Sequence, residues 1–239
     1  MPRSKSLFFD KKVVTTYYYK NNTHLSTRIS SWNRYGTNTQ TLYEWLWSLL
    51  CLHKGNAGSR RSILDVGCGT GEMLAYFNMQ QKKLNIYGVD ISAPMLKKAA
   101  YKNIKSRQNF HLSNITELPF EDNFFDITTA VFVLHHVPNL SRALAELVRV
   151  TKKKGIILIA DGDYDVQSGL NAVHYSTLRK LRFPDFMKDT TAYLRTSRQC
   201  IGQMLKRFRL KGVLHTYKND MIFYKANQAL RYYLSLIHI

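Results

Sequence analysis

Long apolar runs, paired cysteines, prolines and acidic side chains are all scarce in this chain of 239 residues. No stretch approaches the ~18 consecutive apolar residues of a membrane-spanning helix, so no transmembrane segment is expected. The opening MPRSKSLFFDKK is basic but lacks the apolar centre and small-residue cleavage site of a secretory signal, and a cytoplasmic protein is expected. Cys51, Cys68 and Cys200 are odd in number, far apart and without a CxxC pair. They read as reduced thiols, neither a disulfide framework nor a zinc site, and no metal site is expected. The 5 prolines do not cluster, so no interdomain linker stands out, and no internal repeat or low-complexity tract is visible.

The deficit of acid is the strongest compositional bias: 16 Asp and Glu face 35 Lys and Arg, a formal charge of +19. The excess lies mainly in residues 1–60 and 163–239, while residues 61–162 are nearly balanced. A field of this sign attracts anionic partners such as RNA, phosphorylated small molecules or acidic head groups; an inert basic surface is the alternative. With 45% hydrophobic residues, the length suits one large α/β domain.

Residues 1–36 are polar, rich in Tyr and Asn, and show no clear period. Leu42, Trp45, Leu46, Leu49 and Leu50 then recur at helical spacing, and a loop over His53–Arg60 follows. From Ser62 the pattern alternates. Strands are expected at Ser62–Val66, Asn85–Val89, Phe110–Leu112, within Phe125–Leu134, and at Ile156–Ala160 after a break at Gly155. Helices are expected at Glu72–Met79, Ala93–Lys105 (Ser92 as N-cap, Pro94 in the first turn) and Leu140–Val150. This alternation demands a mostly parallel sheet with helices on both faces. Beyond Asp161, Val173–Phe183, Ser197–Phe208 and Ala226–Ile239 read as helical. Gly212–Tyr217 and Met221–Tyr224 read as a terminal antiparallel hairpin.

The most informative stretch is Ile63-Leu64-Asp65-Val66-Gly67-Cys68-Gly69-Thr70-Gly71. A glycine turn between a buried strand and a helix lets a ligand approach the backbone, beyond the carboxyl ends of the strands. The spacing is GxGxG, and Glu72 stands where a dinucleotide turn carries its third glycine. That disfavours a pyrophosphate on the helix N-terminus and suits an adenosyl ligand with an amino-acid tail. Asp90, about twenty residues on, ends the second strand, where a carboxylate accepts hydrogen bonds from ribose hydroxyls.

LDVGCGTG, VDIS, LPFEDNFFD, and VLHHV followed by ALAELVRVTKKKG together resemble the class I S-adenosylmethionine-dependent methyltransferases, in the branch that includes the ubiquinone and menaquinone C-methyltransferases. The likeness covers roughly residues 60–161 and implies a Rossmann-like fold. It implies S-adenosyl-L-methionine as methyl donor, with S-adenosyl-L-homocysteine as product. By resemblance, Asp65, Gly67 and Gly69, with Gly71 completing the turn, line the methionine end. Asp90 holds the ribose, and Ile91 and Ile115 wall the adenine. Asn114 replaces the acid that many members place on the adenine amino group, and its amide oxygen still accepts that bond. Phe132 or Val133 borders the transfer position. Lys153-Lys154-Gly155 departs from the usual Pro-Gly-Gly turn.

His135 and His136 read either as a base facing substrate, with His136 the candidate catalytic residue, or as packing histidines in a loop. Arg195, Arg198, Lys206, Arg207, Arg209 and Lys211 read as an anion-binding surface or as a solvated helix face. Tyr17, Tyr18 and Tyr19 read as part of a lid or as a plain amphipathic segment. The expected organisation is one domain, 1–239: a helical cap or lid over 1–60, a cofactor core over 61–161, and substrate-side helices, hairpin and tail over 162–239.

The expected activity is methyl transfer to an N, O or C nucleophile of a small molecule, which the positive field allows to be anionic. RNA is a second acceptor class on charge alone. Against it, no Asn/Asp-Pro-Pro-aromatic motif follows the fourth strand, no Pro-Cys pair occurs, and no RNA-binding module is recognisable. A non-catalytic partner subunit with the same fold is a third reading.

Overall fold

A computed structural model describes residues 23–52, 60–81, 83–103, 109–162 and 198–236, together with the single positions 169, 176 and 180. Tyr17–Tyr19, the loop over His53–Ser59, Arg195 and most of Val173–Phe183 lie outside them.

The named elements are α1 (Thr23–Tyr35), α2 (Leu42–Leu52), β1 (Arg61–Val66), α3 (Glu72–Gln80), β2 (Leu84–Asp90), α4 (Ala93–Lys102) and β3 (Asn109–Leu112). They continue with β4 (Phe125–Val131), α5 (Leu140–Val150), β5 (Thr151–Ala160), α6 (Arg198–Arg207) and α7 (Ala226–Leu236). The five strands form one parallel sheet in the order β3-β2-β1-β4-β5. The chain winds outward from β1 to β3, returns to β4 beside β1, and ends at β5. That reversal opens a crevice beyond the carboxyl ends of β1 and β4.

Strand alternation assigns the two faces. Leu64 and Val66 of β1 turn toward a cluster with Val89, Ala130 and the α5 residues Ala143, Leu144, Leu147 and Val150. Ile63 turns the other way, to Ile86, Ile127, Leu46 and Leu50 of α2, and Leu74 and Phe77 of α3. Both faces are covered, as a parallel sheet requires.

Gly155 lies inside β5 rather than ahead of it. Phe125 pairs with Thr151 but Ile127 pairs with Ile156, so Lys152–Gly155 bulge out of the ladder. A Cβ at Gly155 would meet Thr151 Cγ2 at 2.7 Å and the Asp126 carbonyl oxygen at 2.9 Å, so only glycine fits there. Ser92 occupies the N-cap of α4 with extended backbone, but its side chain makes no cap hydrogen bond.

The expected antiparallel hairpin does not form. Met221 makes an isolated antiparallel bridge to Gly36 instead. Ile222 N–H donates to the Tyr35 carbonyl at 2.9 Å, and Thr37 N–H to that of Asp220 at 2.8 Å. The Tyr217 hydroxyl donates to the Gln40 carbonyl at 2.6 Å. The segment around residues 217–222 thus satisfies its polar groups on residues 35–40, and Gly212–Tyr217 has no strand partner among the described residues.

Residues 1–36, read as aperiodic, contain α1. It packs on α7. Trp32 Nε1 donates to the Tyr232 hydroxyl at 3.1 Å, joining positions 200 residues apart.

Candidate active site

Three glycines set the shape of the turn after β1, each with positive φ: Gly67 at 74°, Gly69 at 54° and Gly71 at 74°. They do different work. A Cβ at Gly67 would lie 2.5 Å from Val133 Cγ2, so this glycine lets the β4 exit close over the turn. One at Gly71 would meet Asn103 Nδ2 at 2.9 Å and Ala99 Cβ at 3.0 Å, so Gly71 permits close packing of α3 on α4. Gly69 is the least crowded: a Cβ there would make ordinary van der Waals contact with Leu25 Cδ2 of α1, at 3.6 Å. Of the three, Gly69 is the one whose Cβ position is free of a close contact.

Asp90 is tied to that turn. Its Oδ2 accepts the Gly69 amide at 2.9 Å and its Oδ1 the Ser92 amide at 2.8 Å. Each oxygen keeps a lone pair, so the carboxylate is oriented but still able to accept two hydroxyls. Burial raises its pKa, against the pull of the Ser92, Gly69 and Ile91 amides. Ile91, half-buried, follows directly.

Asp65 sits beneath the turn, 4% exposed. Thr129 Oγ1 donates to its Oδ1 at 2.7 Å. Burial drives the carboxyl from 3.8 up to about 7, with the Thr129 bond opposing and the Asp90 charge assisting. Glu72 opens α3; burial pushes its carboxyl up, but bonds from Lys102 and Thr70 outweigh this and hold it below its usual value. Lys102 Nζ meets Glu72 Oε1 at 2.5 Å. Burial and the nearby Asp65 and Asp90 carboxylates push the Cys68 thiol up, so it is a packed, protonated group.

Asn114 and Ile115 follow β3. Asn114 is exposed, and its Oδ1 accepts the Thr116 amide at 3.0 Å, which fixes the side chain while leaving a second lone pair. Ile115 is buried beside Leu118 and Leu134. The stretch carrying these residues is clamped from α5: Glu146 Oε2 accepts the Leu118 amide at 2.7 Å. Arg149 donates to the carbonyls of Phe120 at 2.7 Å and Leu118 at 3.0 Å, and to Asp122 at 2.9 Å.

On the far side, Phe132 has φ 52°, a left-handed backbone uncommon for an aromatic residue, and its ring lies 5.4 Å from Trp32 of α1. The turn Leu134–His136 follows. His135 Nδ1 pairs with Asp161 Oδ1 at 2.8 Å, and both side chains are 8% exposed. Sequence reasoning named His136 as the candidate base, but the carboxylate partner belongs to His135. Its ring lies 4.1 Å from that of His136. An Asp–His pair at the ends of β4 and β5 can fix an imidazole's orientation. Asp161 escaped the sequence reading, and its place immediately after the strongest strand was the available signal. Trp32 and Leu25 escaped too, because α1 shows no clear period.

The glycine turn, Asp65, Asp90, Ile91 and Phe132 therefore lie at the carboxyl ends of β1, β2 and β4, with Asn114 and Ile115 just after β3. Among the described residues no group of three or more His, Cys, Asp or Glu is placed to hold a metal ion, and no helix is long and apolar enough to cross a membrane.

Residues 64–159 match the family described as a methyltransferase domain. The chain is 35% identical over 111 residues to a demethylmenaquinone methyltransferase of Lactiplantibacillus plantarum, covering 44% of this chain and 47% of that protein. It is 33% identical over 121 residues to a ubiquinone/menaquinone biosynthesis C-methyltransferase of Shewanella piezotolerans (48% of each). It is 30% identical over 154 residues to a sterol 4-C-methyltransferase of Caenorhabditis elegans (60% and 45%). The alignments thus span about half the length of these relatives. A crystal structure of a candidate methyltransferase from Bacillus halodurans C-125 superposes with a TM-score of 0.50 at 22% identity, covering 68% of this chain and 67% of that one, which shows the shared fold.

Proposed function

From a core whose residues 64–159 match a methyltransferase-domain family, we propose that this protein is a class I S-adenosylmethionine-dependent methyltransferase that transfers a methyl group to an N, O or C nucleophile of a small molecule. The observation that carries the reading is the coupling of the Gly69 turn to Asp90, a carboxylate with both oxygens aimed by backbone amides. The residues fit this cofactor: Gly69 gives a Cβ-free surface, Asp90 two acceptors for a ribose, and Asp65 a carboxyl poised to ionise beside a cation. A bound sulfonium supplies an already reactive methyl group, so the protein contributes alignment and exclusion of water. Gly67, Gly69 and Asp65 would hold the methionine end, Ile91, Asn114 and Ile115 the adenine, and Phe132 the border with the acceptor. His135, held by Asp161, or His136 beside it would take a proton from the acceptor.

Calorimetry with S-adenosylhomocysteine, paired with transfer of labelled methyl to candidate acceptors, tests this. Binding plus turnover is expected. Binding without turnover on any acceptor would favour a partner subunit, and no binding would end the reading.

RNA is the second acceptor class, favoured by one observation. Lys206, Arg207, Arg209, Lys211, Lys218, Lys225 and Arg231 are all exposed, against Asp220 as the only acidic residue of 198–236. RNA binding that collapses steeply with salt, together with labelled RNA product, would move the proposal to that class.

A further inference from the structure

The floor of the crevice is acidic, while its cover carries a cation. Asp65, Glu72 and Asp90 surround the turn, and Lys102 is engaged with Glu72. These carboxylates match the sulfonium and ammonium of an S-adenosyl amino acid but not its carboxylate, which must find positive charge elsewhere.

Leu25, Arg28 and Trp32 lie three and seven residues apart, on one side of α1. Leu25 Cδ2 stands 3.6 Å from the Cβ position of Gly69, and the Trp32 ring 5.4 Å from that of Phe132. Arg28 is therefore borne between the methionine end of the crevice and the transfer end. Its charge reaches the Tyr232 phenol, the hydroxyl to which Trp32 donates. Its Nε is buried and has no hydrogen-bond partner among the described residues. A buried guanidinium N–H without an acceptor is costly, and an entering carboxylate removes that cost through a charge-assisted bond.

We propose that Arg28 binds the carboxylate of the cofactor's amino-acid tail, making α1 a strap that closes over the ligand it helps to hold. This rests on the reading of the crevice as an S-adenosylmethionine site. A carboxylate of the acceptor offers the same chemistry, and the test separates the two.

S-adenosylhomocysteine and 5′-methylthioadenosine, which lacks the amino-acid tail, are titrated calorimetrically into the full chain and its Arg28→Ala, Arg28→Gln and Arg28→Lys variants. The proposal expects Arg28→Ala and Arg28→Gln to lose about tenfold to hundredfold in affinity for S-adenosylhomocysteine, with 5′-methylthioadenosine unchanged and Arg28→Lys partly restored. Gln keeps much of the stem, so it stands in if the Ala variant fails to fold. Unchanged S-adenosylhomocysteine affinity overturns the proposal and transfers the carboxylate to the acceptor. Equal losses on both ligands also overturn it, since they reduce Arg28 to packing. A wild-type chain that binds neither ligand refutes the site reading itself.

Discussion

The Gly69 amide donates to Asp90 Oδ2 at 2.9 Å, so the two halves of the crevice, 21 residues apart, are one hydrogen-bonded unit. The turn cannot shift without moving the carboxylate, and the carboxylate cannot rotate without releasing the turn. This couples ligand geometry to the local fold and gives the first prediction.

Asp90→Ala removes the acceptor of two amides as well as the ribose partner. It is expected to weaken S-adenosylhomocysteine by at least about tenfold and to cost about 1–3 kcal/mol of stability. Asp90→Asn keeps an acceptor oxygen and should recover part of the stability but not the affinity. Calorimetry and thermal melts of both variants measure this; an Ala variant with wild-type affinity removes the ribose assignment.

Glycine substitutions should rank by what each Cβ meets. Gly67→Ala and Gly71→Ala combine positive φ with close contacts at Val133 and at Asn103 and Ala99, and each is expected to lose roughly 2 kcal/mol or more. Gly69→Ala meets only Leu25 at 3.6 Å, so its stability loss should stay near the ~1 kcal/mol of the backbone conformation alone. Its ligand affinity should nevertheless fall, because the methyl occupies the space beside the turn. Equal melting losses in all three would contradict the division of labour among these glycines.

Asp65 gives the protein a pH signature. Its folded carboxyl lies at about 7 against an ordinary 3.8, so the folded state holds a proton that the unfolded chain releases. The stability this contributes is full below 3.8 and is lost as pH rises through about 7. Melting temperature measured across that window should fall less steeply in Asp65→Asn than in the wild type. Parallel profiles would show that Asp65 titrates normally.

Arg149→Ala should loosen the loop over residues 113–124, because one guanidinium holds the Phe120 and Leu118 carbonyls and the Asp122 and Glu146 carboxylates. A stability loss of about 1–3 kcal/mol is expected, with faster amide exchange at Thr116–Phe120. Exchange unchanged in that stretch would mean the clamp is redundant.

The sheet core was legible because its signals are local. Strand alternation from Ile63 to Ala160 and the helical face of Leu140–Val150 meet the expected elements within a few residues. The turn and Asp90 were legible for the same reason: backbone geometry there needs glycine, and a strand end needs little else to place a carboxylate. What escaped depends on distant partners. α1 has weak periodicity and is packed by α7, through a Trp32–Tyr232 bond that spans most of the chain. Of the two segments expected to pair as a terminal hairpin, the second bonds to residues 35–37 instead, a choice no local pattern records. The Asp161 partner of His135 joins two strand ends, and only the sheet order brings them together.

A structure of this chain with S-adenosylhomocysteine bound is the decisive test of the Gly69–Asp90 site. Ribose hydroxyls are expected within hydrogen-bonding distance of Asp90, with the thioether tail lying across Gly69, beneath α1. A ligand bound elsewhere, or Leu25 still packed against Gly69 at saturating ligand, would contradict this.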